Sequence, residues 1–145
     1  MDNNITFDKA LIKRYDLAGP RYTSYPTAMQ FRKSINSDDY RTWAKASNEE
    51  LIPRPLSLYF HIPFCDTICY YCACNKIVTK NKQRSIQYLE DLFHEIELQA
   101  ALFDQDRIVD QLHWGGGTPT FLSNDQMQAL MDKIGKHFKL HDEGQ

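Results

Sequence analysis

The sequence predicts an α/β fold with parallel strands, and three observations carry that reading. The run LSLYFHI, Leu56–Ile62, alternates apolar Leu56, Leu58, Phe60 and Ile62 with polar Ser57, Tyr59 and His61, the two-residue period of a half-buried strand. A second strand pattern covers Ile108–Trp114, and each strand is followed by a stretch with the three- and four-residue apolar spacing of an amphipathic helix. The order strand, helix, strand, helix leaves room for a crossover rather than a hairpin, which is how parallel sheets are built.

Taken in order, the first 54 residues read as a polar arm with scattered aromatics. A short helix is predicted over Phe7–Tyr15, ended by Gly19-Pro20. The segment RYTSYPTA, Arg21–Ala28, is extended because Pro26 disfavours helix before it. Ser37 is placed to cap a second helix carrying Tyr40, Trp43 and Ala44, and Pro53 and Pro55 form a hinge before the first strand. After the cysteines a helix begins between Asn81 and Ser85, with Ile86, Leu89, Phe93, Ile96, Ala100 and Phe103 as its stripe. The second strand runs into Gly115-Gly116-Gly117-Thr118-Pro119-Thr120. Ser123 and Gln126 then make a capping box for a helix whose apolar face is Met127, Leu130, Met131, Ile134 and Phe138. Only two strands are read, and the polar stretch His141–Gln145 falls where a third is expected. The chain therefore reads as an N-terminal arm (1–54) and the opening part of a barrel or large sheet (55–145), the remainder being absent.

Composition narrows the function classes. A formal net charge of -2 gives no basic footprint for nucleic acid. No apolar run approaches membrane-spanning length, and Met1–Ala10 lacks a signal-peptide core, so a cytoplasmic protein is expected, with no membrane and no nucleic-acid partner. In that compartment clustered thiols are ligands more often than disulfides.

All four cysteines, Cys65, Cys69, Cys72 and Cys74, lie on the loop leaving the first strand, the edge where parallel α/β folds bind ligands. Thiolates suit an iron–sulfur cluster or zinc. Cys65, Cys69 and Cys72 fall within eight residues and can wrap a cube-shaped cluster, leaving one iron open to a cofactor or substrate. Cys74, two residues beyond Cys72, is badly placed to complete the same cube and is read as a non-ligand. Three other readings stand beside this one. Structural zinc ordinarily takes a second, distant knuckle, which this chain lacks. The i, i+4, i+7 spacing also fits a buried helix face, against which stand Tyr70, Tyr71 and the break at Pro63. Paired disulfides are disfavoured by the compartment.

The C-x3-C-x2-C spacing after an apolar strand resembles the radical S-adenosylmethionine (SAM) enzymes. RYTSYPTA, LYFHIPFC, CYYCACNKIVTK and LHWGGGTPTFL together resemble their oxygen-independent coproporphyrinogen III oxidase branch, from Arg14 to about Phe138. The arm and the C-x-C ending in Cys74 separate this match from the haem-chaperone branch, which uses the same barrel to bind haem.

The resemblance implies the first two βα units of a radical-SAM partial TIM-like barrel. It implies a 4Fe-4S cluster on Cys65, Cys69 and Cys72, with SAM chelating the open iron. An electron passed to SAM yields a 5′-deoxyadenosyl radical, which takes hydrogen from a propionate of coproporphyrinogen III. Loss of carbon dioxide then leaves a vinyl group, towards protoporphyrinogen IX in haem synthesis. The cofactor carries this chemistry and the protein orients it. By the same resemblance Tyr59 touches SAM near the cluster, Tyr71 packs on the adenine, and Gly115, Gly116 and Gly117 hold the methionine amino group. Thr118 lies close to a second SAM site, and Tyr22 and Tyr25 close over the active site. An electron donor is implied too. The acidic contact to the SAM ribose and most of the porphyrinogen pocket belong to parts of the family's fold not found here, so the 145 residues alone are expected to be inactive. His61 and His113 sit near the ends of the two strands, where a lone histidine reads first as a packed or hydrogen-bonded core residue and second as one facing the lumen.

Overall fold

The structure is a computed structural model, and it describes residues 7–16, 28–31 and 34–141. The elements are α1 (Lys9–Tyr15), a 3₁₀ turn (Ala28–Gln30), α2 (Ser37–Ala46), β1 (Leu56–Ile62), β2 (Phe64–Cys65), β3 (Ile77–Val78), α3 (Arg84–Ala100), β4 (Ile108–Gly116), a 3₁₀ turn (Pro119–Phe121), α4 (Asn124–His137) and β5 (Lys139–Leu140). Two compact units result, Met1–Ile35 and Asn36–Gln145. The RYTSYPTA segment through Thr27, with Tyr22 and Tyr25, lies outside the described residues. Among the described residues, no helix is long and apolar enough to cross a membrane.

In the first unit α1 starts at Asp8, whose carboxylate accepts from the amides of Ala10 and Leu11 at 2.9 and 3.0 Å. The second unit opens with α2. Its cap is Asn36 and not Ser37: the Asn36 side chain accepts from the amides of Asp38 and Asp39, and Asp39 reaches back to the Asn36 amide at 3.0 Å. Asn-x-x-Asp supplies both halves of a reciprocal box, so Ser37 becomes the first helical residue. Residues 36–54 are tied to later elements. The Tyr40 hydroxyl donates to Gln99 at 2.6 Å, and Arg107 donates to Ser47, Asn48 and the Arg54 carbonyl.

β1, β4 and β5 form one sheet in the order β1-β4-β5, every pair parallel. The βαβα order read from the sequence is the one observed. β5 corrects the expectation of two strands: Lys139 and Leu140 pair with Ile108 and Val109. Two residues are too few to show a period, so only pairing reveals them. The register of β1 on β4 slips by one residue, from Leu56↔Val109 to Ser57↔Gln111, leaving Asp110 without a partner on β1. That slip resolves a conflict in the sequence. Val109 lies three residues before Leu112 and five before Trp114, so strict alternation would send it to the opposite face. The extra residue turns all three toward the helices.

The helices pack on one face, against Leu56, Phe60 and Ile62 of β1. On α3 the buried line is Ser85, Leu89, Leu92 and Ile96; Ile86 is exposed and Phe103 lies past the helix end, so the stripe is rotated from the one expected. Ser85 is tolerated there, fully buried, because its hydroxyl donates to the Lys82 carbonyl at 2.7 Å and accepts from Gln126 at 2.9 Å. Gln126 also closes the Ser123 capping box of α4, as expected, so one side chain joins the starts of both helices. Leu130 and Ile134 of α4 are wholly buried.

Two substitutions one residue apart on α4 are expected to have opposite effects. Ile134→Ala opens a cavity in the core and should cost about 2–5 kcal/mol. A β-carbon at exposed Gly135 meets nothing within 4 Å, so Gly135→Ala should stabilise the chain by about 0.5–1 kcal/mol. Urea denaturation of both variants checks the signs.

Candidate cofactor site at the strand ends

The cysteine loop grows from the continuation of β1. Past Pro63 the backbone stays extended as β2 and is held on both edges. On one edge the amides of Gly117 and Thr118 donate to the carbonyls of Ile62 and Phe64, each at 2.8 Å. On the other, the amides of Ile77 and Thr79 donate to the carbonyls of Pro63 and Cys65, at 2.7 and 2.9 Å. Residues 66–76 are thereby gathered into a loop with a closed neck. Its neck sits against the glycine turn that ends β4, which brings Cys65 and Gly117 together. The loop contains no helix, so the buried helix-face reading of the cysteines is excluded; a single turn bond joins the Cys72 amide to the Cys69 carbonyl at 3.2 Å.

Each glycine of the turn faces one polar-face residue of the β1 line. A β-carbon at Gly115 would lie 2.6 Å from the Tyr59 hydroxyl, and at Gly116 2.7 Å from the His61 ring. At Gly117 it would lie 2.8 Å from the Cys65 sulfur and 2.7 Å from the Phe64 carbonyl oxygen. Gly116 also has φ +103, the left-handed region open to glycine. The Thr118 hydroxyl lies 3.6 Å from the Cys65 sulfur, a weak O–H···S contact.

His61 ties three pieces of the site. Its Nε2 lies 2.8 Å from the carbonyl of Asn75, an acceptor only, so Nε2 carries the proton and Nδ1 faces the Tyr59 hydroxyl at 3.5 Å. Tyr59, 58% exposed, stacks on His113 at 5.6 Å between ring centroids. The sheet face away from the helices thus carries Tyr59, His61 and His113 beside the glycine turn. Below it, the Tyr88 hydroxyl donates to the His61 carbonyl, and the Tyr88 ring meets Phe64 edge-on at 5.5 Å. Burial, and then the nearby Glu95 carboxylate, raise the Tyr88 pKa and keep this proton in place.

The four thiols are free: Cys65 is buried, Cys72 half-buried, and Cys69 and Cys74 exposed. Among the described residues no three His, Cys, Asp or Glu side chains stand close enough together to hold a metal ion, so the loop does not draw its sulfurs together by itself. The donor set nonetheless fits a thiolate-ligated cluster: three soft sulfurs on one irregular loop, anchored only at its neck. Tyr71, 90% exposed, packs on nothing within this set. Asp66, Asn75, Lys82 and Tyr88 were not singled out from the sequence. Asp66 had one signal, its place directly after Cys65; the rest acquire partners only through folding.

The family model for the Radical SAM superfamily matches residues 59–142. The chain is 50% identical over 143 residues to an oxygen-independent coproporphyrinogen III oxidase of Pseudomonas aeruginosa, covering 99% of this chain and 31% of that protein. It is 45% identical to one of Mannheimia haemolytica, covering 99% of this chain and 94% of that protein. The solved structure of Escherichia coli coproporphyrinogen III oxidase, described as a radical SAM enzyme, matches with a TM-score of 0.74 and 47% identity, over 94% of this chain and 29% of that one. The chain thus spans under a third of the Pseudomonas and Escherichia relatives and nearly all of the Mannheimia one.

Alanine at the glycine turn is expected to be costly where Gly135→Ala is not. Gly116→Ala should destabilise the chain by about 1–2 kcal/mol through its backbone angle, and Gly117→Ala by about 1–3 kcal/mol through overlap with Cys65 and Phe64. Denaturation of the metal-free chain measures both; wild-type stability would refute the backbone strain at Gly116 or the close approach at Gly117.

Proposed function

From the premise that the chain belongs to the radical SAM superfamily, in its oxygen-independent coproporphyrinogen III oxidase branch, we propose that it carries the cluster loop and part of the SAM site for oxidative decarboxylation of coproporphyrinogen III propionates to vinyls. One observation carries this reading. The neck of the cysteine loop is bonded to the glycine turn, so the first thiol and the backbone that would cradle a cofactor share the C-terminal edge of the sheet.

In this proposal Cys65, Cys69 and Cys72 would hold a 4Fe-4S cluster able to supply the electron for SAM cleavage, and Cys74 would not ligate. Cys65 is fixed by its place in β2, whereas Cys69 and Cys72 lie on the loop outside any strand and would be drawn together by the metal. Gly115–Gly117 leave room for Tyr59, His61 and Cys65 to close on the turn, and a ligand's polar head would meet the backbone on the edge of Gly115 and Gly116 not paired with β1. Tyr59, held by His113, offers its hydroxyl and ring edge to the same ligand, and Thr118 borders it. Tyr71 on the exposed loop is the flat surface available to an adenine. The substrate is proposed on the strength of the relatives' names, and the cytoplasm as the location.

Anaerobic reconstitution with iron and sulfide should give about four irons and four labile sulfides per chain. Cys65→Ala, Cys69→Ala and Cys72→Ala should each abolish the cluster, and Cys74→Ala should keep it. Loss in the Cys74 variant would overturn the ligand assignment. About one zinc with no labile sulfide would favour a structural metal module, and tight haem binding without SAM cleavage a haem-binding role.

A further inference from the structure

We propose that Lys82 and Asp66 form a charged clasp that positions the first cysteine of the loop and balances the charge beside it; this rests on the cluster reading above. Lys82 lies just ahead of α3, outside the proposed cofactor contacts. Its ammonium is 3.3 and 3.4 Å from the two Asp66 carboxylate oxygens, 3.4 Å from the Phe121 carbonyl oxygen and 3.5 Å from the centroid of the Phe121 ring. Asp66 directly follows Cys65. Phe121 is buried in the turn after the glycines and stacks at 5.1 Å on Phe64, which directly precedes Cys65. One ammonium therefore spans the flanks of Cys65 and the far side of the glycine turn.

A half-exposed ion pair alone contributes little. Here the same ammonium also has an aromatic face and a carbonyl, and these additional partners favour one geometry. Its electrostatic consequence is local. Three thiolates already bring negative charge to the loop, and Asp66 adds another next to a ligand. Lys82 offsets it, and the net charge around a cluster helps set its reduction potential. Lys82 is thus a positioning residue acting through Asp66 and Phe121, not a catalytic one.

The test compares the full 145-residue chain with K82M, K82R, D66N and the K82M/D66N double variant, each reconstituted anaerobically with iron and sulfide counted before redox titration. K82M should shift the midpoint potential negative, D66N should shift it positive, and the double variant and K82R should return close to the parent. In the metal-free chain, K82M should speed hydrogen exchange at the Thr118 and Phe121 amides by roughly two- to fivefold, the rate ratio of a weak ion pair lost. Equal potentials in fully loaded parent and D66N overturn the charge balance, and unchanged exchange in K82M overturns the positioning; either leaves the cluster reading intact. A parent that takes up no cluster overturns that reading and the clasp's role with it. Should K82M fail to load, D66N carries the potential measurement, since its change removes charge while keeping shape.

Discussion

The edge bonding of the short extended segment after β1 is the constraint on which the rest of the C-terminal edge of the second unit's sheet depends. Ile62 and Phe64 give their carbonyls to the glycine turn, while Pro63 and Cys65 give theirs to the start and flank of β3. A strand that alternates its carbonyls between two neighbours cannot slide along either without breaking bonds on both. The thiol of Cys65 therefore has a fixed height relative to β4, whatever the exposed part of the loop does. Proline at 63 costs nothing here, because the bond on that residue uses its carbonyl and needs no amide hydrogen.

Glycine is required at the turn by the same closeness. The backbone of β4 passes so near Tyr59, His61 and Cys65 that any side chain would collide with them. The contact line is offset from the pairing: His61 is paired with Gly115 and Ile62 with Gly116, while the Tyr59 and His61 side chains lean over Gly115 and Gly116, so polar side chains of one strand cover bare backbone of the other. The apolar halves of both strands remain under α3 and α4. Polar face and core are separated by the pleat of a single sheet.

Two side chains on the helix side reach through to support this edge. Tyr88 donates to the His61 carbonyl, which points to the strand edge not paired with β4, and meets Phe64 with its ring. Gln126 joins the beginnings of α3 and α4 through buried Ser85, whose hydroxyl in turn caps the Lys82 carbonyl. The helix starts, the loop neck and the glycine turn thus share one set of contacts, with aromatic packing of Phe64 on Phe121 at its centre.

Much of this was legible in the chain itself. The two long strands, the crossover helix, the Ser123 cap and the burial of Leu130, Ile134 and Phe138 follow from local period and capping chemistry, which act over a few residues and leave a pattern. The glycine run likewise announces close approach without any fold, and the cysteine spacing is what the proposed ligand set rests on. What local pattern could not carry was decided by packing. The slip at Asp110, the pairing of β5, the rotation of α3 that buries Ser85 and exposes Ile86, and the choice of Asn36 over Ser37 depend on neighbours or on competition between adjacent caps. The meeting of Cys65 with Gly117, and of Lys82 with Asp66 and Phe121, joins residues far apart in sequence. Periodicity is a property of one segment, whereas register and juxtaposition are properties of two, and only the folded chain sets them.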